Sequence, residues 1–296
     1  MSTYRAPTKE FKFLLETVAP LDALSALPHF EEATPDTVYA IIDESAKFAT
    51  DVLDPLNWSG DQEGAKHHGV DNSVTTPKGF KAAYDGYCGM GGAALPMPAE
   101  FGGLGMPRSL ITLTDEIVHS SNMSFGLLPM LTQGAIEAIL LAGSDSLKQM
   151  YLPKMVSGEW TGTMNLTEPQ AGSDLALVKT RAEQQADGTF KIFGTKIFIT
   201  FGEHDFTSNI IHLVLARLPD APEGVKGISL FVVPKFLVNA DGSLGARNDA
   251  HCVSIEHKLG IHGSPTCVMQ FGDNGGATGY VVGELNRGLE YMFVMM

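Results

Sequence analysis

The chain has 296 residues, 44% hydrophobic and 18% charged, which is ordinary for a soluble protein of two domains with a sizeable core. Its net charge of −14 argues against a nucleic-acid or anionic-membrane partner, but not against a ligand that needs only a few local donors for a phosphate. Three widely spaced cysteines, nine histidines without zinc spacing, no signal peptide and no apolar run near the ~20 residues of a membrane span predict a cytoplasmic protein without metal or disulfides.

The first 33 residues are predicted to be an N-terminal extension with one short amphipathic helix. The apolar positions of that helix are Phe11, Leu14, Leu15 and Val18. After the extension, Thr34 followed by Pro35 predicts a helix start, because Thr caps helices well and Pro suits the first helical position. Thr76 followed by Pro77 predicts a second start of the same kind.

Between these two starts, residues 57–74 are predicted to be a polar loop that contains the adjacent His67 and His68. The second helix is expected to bury one face, made of Phe80, Ala83, Tyr84 and Tyr87. Three more helices are predicted, over residues 109–121, 127–141 and 145–151, the last capped by Asp145 and ending before Pro153. Together these helices predict an α-helical domain over residues 34–156.

From residue 159 onward the pattern changes to short β-branched strands. They are predicted over residues 160–166, 179–185, 189–193, 209–218, 227–234, 252–256, 267–271 and 280–283. Asp187-Gly188 is a strong hairpin turn signal between two of them. Strands without intervening helices predict an antiparallel β-barrel or sandwich over residues 159–284, so the fold class is α+β. In residues 285–296 a further helix begins, with one apolar row of Leu289, Met292, Phe293 and Met296.

The stretch from Met164 to Asp174 reads M-N-L-T-E-P-Q-A-G-S-D and starts as a strand with two-residue alternation. At Pro169 it breaks into a loop with small side chains and free backbone N–H groups. Thr167 and Ser173 add two hydroxyls. Such a surface suits a flat polar ring followed by a phosphate, and it also fits an ordinary Pro-Gly turn.

A second stretch, Lys196 to Gly202, reads K-I-F-I-T-F-G and places Phe198 and Thr200 on one face of a strand. An aromatic plate then lies beside a hydroxyl. Taken alone, this stretch fits an ordinary buried strand equally well.

In this order and roughly thirty residues apart, the two stretches resemble the flavin-binding segments of the acyl-CoA dehydrogenase family. That family has a T-E-P-x-A-G-S-D loop followed by a strand that ends aromatic-Ile-Thr. The N-terminal extension, with Y-x-A-P before a helix, is similar to that of the large subgroup that includes 3-methylmercaptopropionyl-CoA dehydrogenase. Two positions depart from the family pattern, because Trp is frequent where Phe198 stands and Asn where Phe201 stands.

The resemblance implies FAD as the cofactor, with the ring's pyrimidine side lined by Met164, Leu166 and Thr167. It implies that Gly172 and Ser173 lie near the phosphates and that Ser173 also contacts the acyl-CoA. It further implies that Phe198 lies against the ring and that Thr200 hydrogen-bonds near the reactive nitrogen. Lys258 to Thr266 resembles another family segment, in which His262 stands where Arg is frequent.

The activity implied is α,β-dehydrogenation of an acyl-CoA thioester, of 3-methylmercaptopropionyl-CoA or another short or medium acyl chain. It would serve fatty-acid metabolism or dimethylsulfoniopropionate degradation. The implied partners are electron-transfer flavoprotein and further copies of the chain in a homodimer or homotetramer. The family's catalytic base and C-terminal four-helix domain align beyond Met296, so no catalytic base is assigned within the chain, which is expected to be inactive alone. Two alternatives stay open: a flavin oxidase or hydroxylase on the same fold, and a non-catalytic flavin-binding pseudo-enzyme.

Overall fold

The computed structural model describes residues 4–296, and helices are the main secondary structure as far as Val156. They are α1 Thr8–Thr17, α2 Leu21–Ser25, α3 Pro35–Phe48, α4 Asp54–Glu63, α5 Phe80–Gly89, α6 Arg108–Ser121, α7 Met123–Ala142 and α8 Asp145–Val156. A π-helical turn, Ala49–Leu53, joins α3 to α4. The predicted helical first part of the fold is therefore confirmed.

The helix predicted in the extension is α1, whose buried face is narrower than the sequence pattern indicates. Phe11 and Leu15 are buried in one core cluster with Val38 of α3. Leu14 and Val18 are exposed. The extension therefore packs on the helical layer through one narrow stripe on successive turns of α1.

Only one of the two predicted helix starts is correct. Thr34 caps α3, its hydroxyl oxygen accepting the N–H of Thr37 at 3.3 Å. The hydroxyl of Thr76 instead donates to the carboxylate of Asp205 at 2.7 Å, and α5 begins only at Phe80. A partner 129 residues away in the chain has taken the capping group.

The loop predicted over residues 57–74 is wrong. Helix α4 runs to Glu63, and a small hairpin follows, made of β1 Lys66–His68 and β2 Ser73–Thr75. His67 is not a free loop side chain, since its Nε2 lies 2.9 Å from the carbonyl oxygen of Cys252. The helix persists because Gly60 lets the ring of Phe80 approach so closely that a Cβ there would lie 2.4 Å from a ring carbon.

The start and end predicted for the last helix of this part are both wrong. The hydroxyl of Ser144, rather than Asp145, caps α8 by accepting the N–H of Leu147 at 3.3 Å. The helix also continues past Pro153 to Val156. It buries Leu152 and Val156 on either side of that proline, so packing outweighs the cost of Pro in a helix.

Helix α7 is long and apolar enough to cross a membrane by length and composition, contrary to the expectation that no such run occurs. Its mean hydropathy is 1.6, and 67% of its apolar window is buried inside the protein. The helix packs against the first strand of the sheet and contributes Ala135, Ile136 and Ile139 to the central core. Burial on most sides accounts for this composition.

The second part of the chain forms one eight-stranded sheet and a small hairpin. The strands are β3 Trp160–Asn165, β4 Arg181–Gln184, β5 Phe190–Thr200, β6 Asn209–Arg217, β7 Ile228–Pro234, β8 Phe236–Val238, β9 Leu244–Arg247, β10 Ala250–Ile255, β11 Thr266–Phe271 and β12 Ala277–Val282. The sheet order is β10-β11-β5-β12-β7-β6-β3, with β4 beside β5. The predicted β-rich second part is confirmed. Its pairing is antiparallel except where β6 runs parallel to β3 and, at a single residue pair, to β4.

One core cluster joins the helical layer to the sheet. It includes Tyr151 of α8, Trp160 of β3 and Leu213 of β6, all fully buried. A second cluster lies within the β part and centres on strands β5, β6, β7, β10 and β11. Strand β3, and with it the start of the following loop, is therefore anchored where the helical layer packs on the sheet.

The final segment differs in part from its prediction. A short helix, α9 Gly288–Met292, is followed by a 3₁₀ turn, Phe293–Met295. Met292 is fully buried in the central core, whereas Phe293 is 55% exposed and Met296 is 69% exposed. The predicted single apolar row is split because the helix tightens after Met292.

Candidate functional site

The two stretches singled out in the sequence meet at one end of the sheet. We name residues 166–178, between β3 and β4, the T-E-P loop. The backbone N–H of Ile197 in β5 donates to the carbonyl of Thr167 at 2.8 Å. The neighbouring Lys196 donates to the carbonyl of Leu166 at 2.9 Å. The start of the loop therefore lies directly against the end of β5.

A buried ion pair joins the loop to the strand. The side chains of Lys196 and Glu168 are 0% and 2% exposed, and their charged atoms lie 2.8 Å apart. Glu168 also accepts the backbone N–H groups of Lys179 at 2.8 Å and Thr180 at 3.1 Å. Sequence reasoning missed both roles. The available signal was a charged Lys196 on the same face of β5 as the buried Ile192, which requires a buried partner.

Both members of the pair are charged near neutral pH. Burial lowers the pKa of Lys196 to about 8, against the attraction of Glu168, which raises it. Burial pushes the pKa of Glu168 upward, but the Lys196 ammonium and the hydrogen bonds from Lys179 and Thr180 outweigh this, so that pKa lies below its usual value. The pair thus holds its charges where the loop meets the strand.

The sequence pattern predicted that Phe198 lies in a regular strand, but the strand is irregular at this residue. Its φ is 61°, in the left-handed region, and the residue is 57% exposed. The pairing of β5 with β11 shifts register between Cys267 and Met269, which marks a β-bulge opposite this position. Holding a non-glycine residue in this conformation costs on the order of 1–3 kcal/mol. The bulge presents an aromatic face to the surface.

Thr200, two residues further on, is half-buried and pairs with Thr266 of β11. Among residues 4–296, the hydroxyls of Thr200, Thr167 and Ser173 make no hydrogen bond. Gly172 is exposed, and a Cβ added there would meet no atom within 4 Å. The two stretches therefore offer unused hydroxyls and a turn with open backbone.

These residues fit FAD. An exposed aromatic plate at Phe198, unused hydroxyls on both stretches and open backbone at Gly172 suit a flat heterocycle with a phosphate tail. Met164 and Leu166 are partly buried and pack against the central core, so they form the base of the site. The Ile197–Thr167 hydrogen bond joins the start of the loop to β5 next to Phe198, while Gly172 and Ser173 lie on the exposed turn of the loop.

His262, at the position where the family pattern has Arg, is already engaged. Its backbone N–H donates to the carboxylate of Asp61 at 3.0 Å, and its Nδ1 lies 2.9 Å from the same oxygen. Lys258 donates to the carbonyl of Ser264 in the same segment. These contacts fasten the segment to α4 and to itself.

Comparisons with known proteins agree with the motifs. The family model "Acyl-CoA dehydrogenase, N-terminal domain" matches residues 38–159, and "Acyl-CoA dehydrogenase, middle domain" matches residues 163–274. The chain is 52% identical over 295 residues to the 3-methylmercaptopropionyl-CoA dehydrogenase of Ruegeria pomeroyi, covering 99% of this chain and 49% of that one. It is 43% identical over 270 residues to a butyryl-CoA dehydrogenase of Syntrophomonas wolfei, covering 88% and 44%. The chain thus spans about half the length of the curated relatives it matches.

Solved structures share the fold. Caenorhabditis elegans ACDH-11 in complex with C11-CoA matches with a TM-score of 0.74 at 20% identity, over 99% of this chain and 49% of that chain. An acyl-CoA dehydrogenase complexed with FAD from Bacillus anthracis matches with a TM-score of 0.69 at 22% identity, over 89% and 40%. With both family models matched along most of its length, the chain belongs to the acyl-CoA dehydrogenase family.

Proposed function

We propose that this chain supplies the flavin-contacting surface of an FAD-dependent acyl-CoA dehydrogenase, which oxidises the Cα–Cβ bond of an acyl-CoA thioester. The meeting of the T-E-P loop with the end of β5 supports this most directly, because it brings unused hydroxyls and an exposed aromatic ring to one place. Family membership supports the same reaction class.

A bound FAD would supply an acceptor for the hydride that leaves the β-carbon. In this proposal Thr200 donates its free hydroxyl to the edge of the ring, and Phe198 covers one ring face. Ser173, on the exposed turn, contacts the acyl-CoA and, with the backbone of Gly172, the phosphate region. Met164, Leu166 and Thr167 complete the wall at the loop's start. Each contact orients the ring before reaction, which is how a protein contributes to hydride transfer.

We assign the base that removes the α-proton to a carboxylate outside the T-E-P loop and the end of β5. The carboxylates in or next to these stretches are already bonded. Glu168 pairs with Lys196, Asp174 accepts the N–H of Ala176 at 3.0 Å, and Glu203 pairs with Lys235. Without a base, the α-proton does not leave at a useful rate, since acid–base groups contribute ~10²–10⁴-fold.

Glu284 and Glu290 are no better candidates for the base. Both are tied to the exposed guanidinium of Arg287, at 3.2 Å and 2.8 Å. We therefore propose that residues 4–296 alone do not dehydrogenate acyl-CoA.

The substrate we propose is 3-methylmercaptopropionyl-CoA or another short or medium acyl-CoA, which would place the protein in dimethylsulfoniopropionate or fatty-acid degradation. The 52% identity over 99% of the chain supports the first choice. Electron-transfer flavoprotein as acceptor, a homodimer or homotetramer, and a cytoplasmic location belong to the same proposal.

Flavin titration tests this proposal. We would measure quenching of FAD fluorescence by the chain joined to the C-terminal half of the Ruegeria pomeroyi relative, and by its Thr200→Val variant. Losing one hydrogen bond at constant volume should weaken binding by ~2–10-fold, or about 0.5–1.5 kcal/mol. Thr195→Val, on the same strand but bonded to Gln270, is the matched control and should change nothing.

Activity with short acyl-CoA thioesters and an artificial electron acceptor completes the test. We expect turnover by the joined protein and none by the 296-residue chain. Robust turnover by the short chain would contradict the assignment of the base, and equal FAD affinity of Thr200→Val and wild type would remove Thr200 from the site.

A further inference from the structure

One carboxylate closes the T-E-P loop. Glu168, near the start of the loop, accepts the N–H groups of Lys179 and Thr180 just after its end. The side-chain amide of Gln170 donates to it as well, at 2.5 Å. The backbone of Glu168 also exchanges two hydrogen bonds with Ala171, at 3.1 and 2.9 Å. The hydrogen bonds of Glu168 therefore determine the path of the loop.

Three consecutive residues at the start of the loop are held by two consecutive residues of β5. Lys196 binds the carbonyl of Leu166 and the carboxylate of Glu168, and the N–H of Ile197 binds the carbonyl of Thr167 between them. The hydroxyl of Thr167 takes no part in this clamp. Its backbone is thus fixed while its side chain is left available.

Stability alone does not explain a buried pair of this kind. Removing two charges from water costs several kcal/mol per ion, and well-packed apolar residues in their place are often as stable. The pair instead fixes the position of the loop, because the backbone donors at the loop's end and the Lys196 ammonium are all satisfied in only one geometry. An apolar contact would allow the loop to slide.

We propose that Lys196 and Glu168 are positioning residues, which rests on the function proposed above: their ion pair sets the spacing between Thr167 on the loop and Thr200 on β5, the two hydroxyls that meet the flavin. Neither member of the pair touches the flavin. Their effect passes through the backbone of residues 166–168 and through the end of β5.

Hydrogen exchange followed by mass spectrometry tests the clamp without any flavin. In Glu168→Gln, amides of residues 170–180 should exchange at least about tenfold faster, since charge-assisted hydrogen bonds at the loop's end are weakened. Glu203→Gln is the matched control, because Glu203 is equally buried but binds Lys235 and Arg247 instead of the loop. In the control, residues 170–180 should exchange within about twofold of wild type.

Equal loop exchange in Glu168→Gln and wild type would overturn the proposal, as would the same loss of protection in Glu203→Gln. If Glu168→Gln does not fold, Gln170→Ala decides the matter. This exposed side chain binds Glu168 and the carbonyl of Leu177, so its removal should speed loop exchange by roughly threefold without unfolding the protein. No change in that variant would equally count against the clamp.

FAD affinity, measured in the joined protein described above, separates the two levels of inference. Glu168→Gln should bind FAD at least about tenfold more weakly than Glu203→Gln does. If the wild-type joined protein binds no FAD, the proposed function fails while the exchange data still decide whether the pair positions the loop. If FAD binds equally to both variants although the loop is loosened, the function stands and the positioning role is overturned.

Discussion

The helical and β parts of this protein bury different kinds of side chain. Of the residues the structure describes, the acidic, basic and histidine side chains that are buried all belong to the β part: Glu168, Lys196, Glu203, His204 and His212. The buried polar groups of the helical part are hydroxyls and amides, several of which bond within their own helix. Ser121 bonds back to the carbonyl of Val118, and Asn122 caps α7.

The difference in buried side chains matches the structural role of each part. Hydroxyls and amides that serve their own helix leave the helical interior free to be apolar, and apolar packing tolerates small shifts. Buried charges tolerate few geometries, and here they lie within and just after the two stretches that form the candidate site. Three predictions test this contrast, from the largest expected effect to the smallest.

Breaking the Lys196–Glu168 pair should have the largest effect. Lys196→Met leaves a carboxylate buried without its counter-charge, which should lower the free energy of unfolding by about 3–5 kcal/mol. Urea denaturation monitored by circular dichroism measures it. Adding Glu168→Gln to this variant should recover at least half of the loss, because the buried charge is removed. A loss of less than ~1 kcal/mol in the single variant would mean that the pair is not buried as described.

Acid should destabilise the protein through the buried histidines of the β part. Burial, with Lys235 nearby, holds the pKa of His204 well below its usual value. Burial, with Arg247 and Lys235 nearby, lowers the pKa of His212 to about 3. Each stays neutral when folded but takes up a proton below pH ~6.5 when unfolded, so this stability is present above pH 6.5 and lost as the pH falls. Between pH 6 and 5 we expect a loss of up to about 1.4 kcal/mol for each histidine.

The stability of His212→Gln against pH isolates one of these contributions. Its unfolding free energy should fall about half as steeply between pH 6 and 5 as that of wild type, if the two histidines contribute equally. His29→Gln, at an exposed position, should leave the slope unchanged. A wild-type curve that is flat from pH 7 to 5 would show that neither histidine is buried neutral.

The smallest effect is expected in the helical part. Thr34→Ala removes the cap of α3 and should lower the unfolding free energy by about 1 kcal/mol at any pH from 5 to 8. Thr112→Ala, exposed within α6, is the control and should stay within ~0.5 kcal/mol of wild type. If the loss of unfolding free energy in Thr34→Ala depended on pH, it would contradict the predicted contrast between the two parts.

How far the sequence predicted the structure depends on how far apart the interacting residues lie along the chain. The start of α3 was predictable because Thr34 and its bonding partner Thr37 are neighbours. The start of α5 was not, because Asp205 takes the Thr76 hydroxyl across 129 positions. A short periodic pattern cannot register a partner that only folding brings near.

The same limit applies within the candidate site. The proposed flavin-contact residues were named through family motifs, and the structure adds how the two stretches are joined. Neither the Lys196–Glu168 pair, 28 residues apart, nor the left-handed Phe198 has a local sequence signal beyond a charge on a buried face. Both depend on pairing between distant strands, which composition and alternation do not encode.

The parallel pairing of β3 with β6 has a consequence for the order in which this protein folds. Two parallel neighbours cannot be joined by a tight turn, and here the intervening chain, residues 166–208, contains the T-E-P loop, β4 and β5. Strand β6 can therefore pair with β3 only after the intervening residues have been synthesised. Contacts between residues so far apart in sequence slow folding. During synthesis, we expect the candidate site and this edge of the sheet to fold together, well after the α-helices nearer the N-terminus.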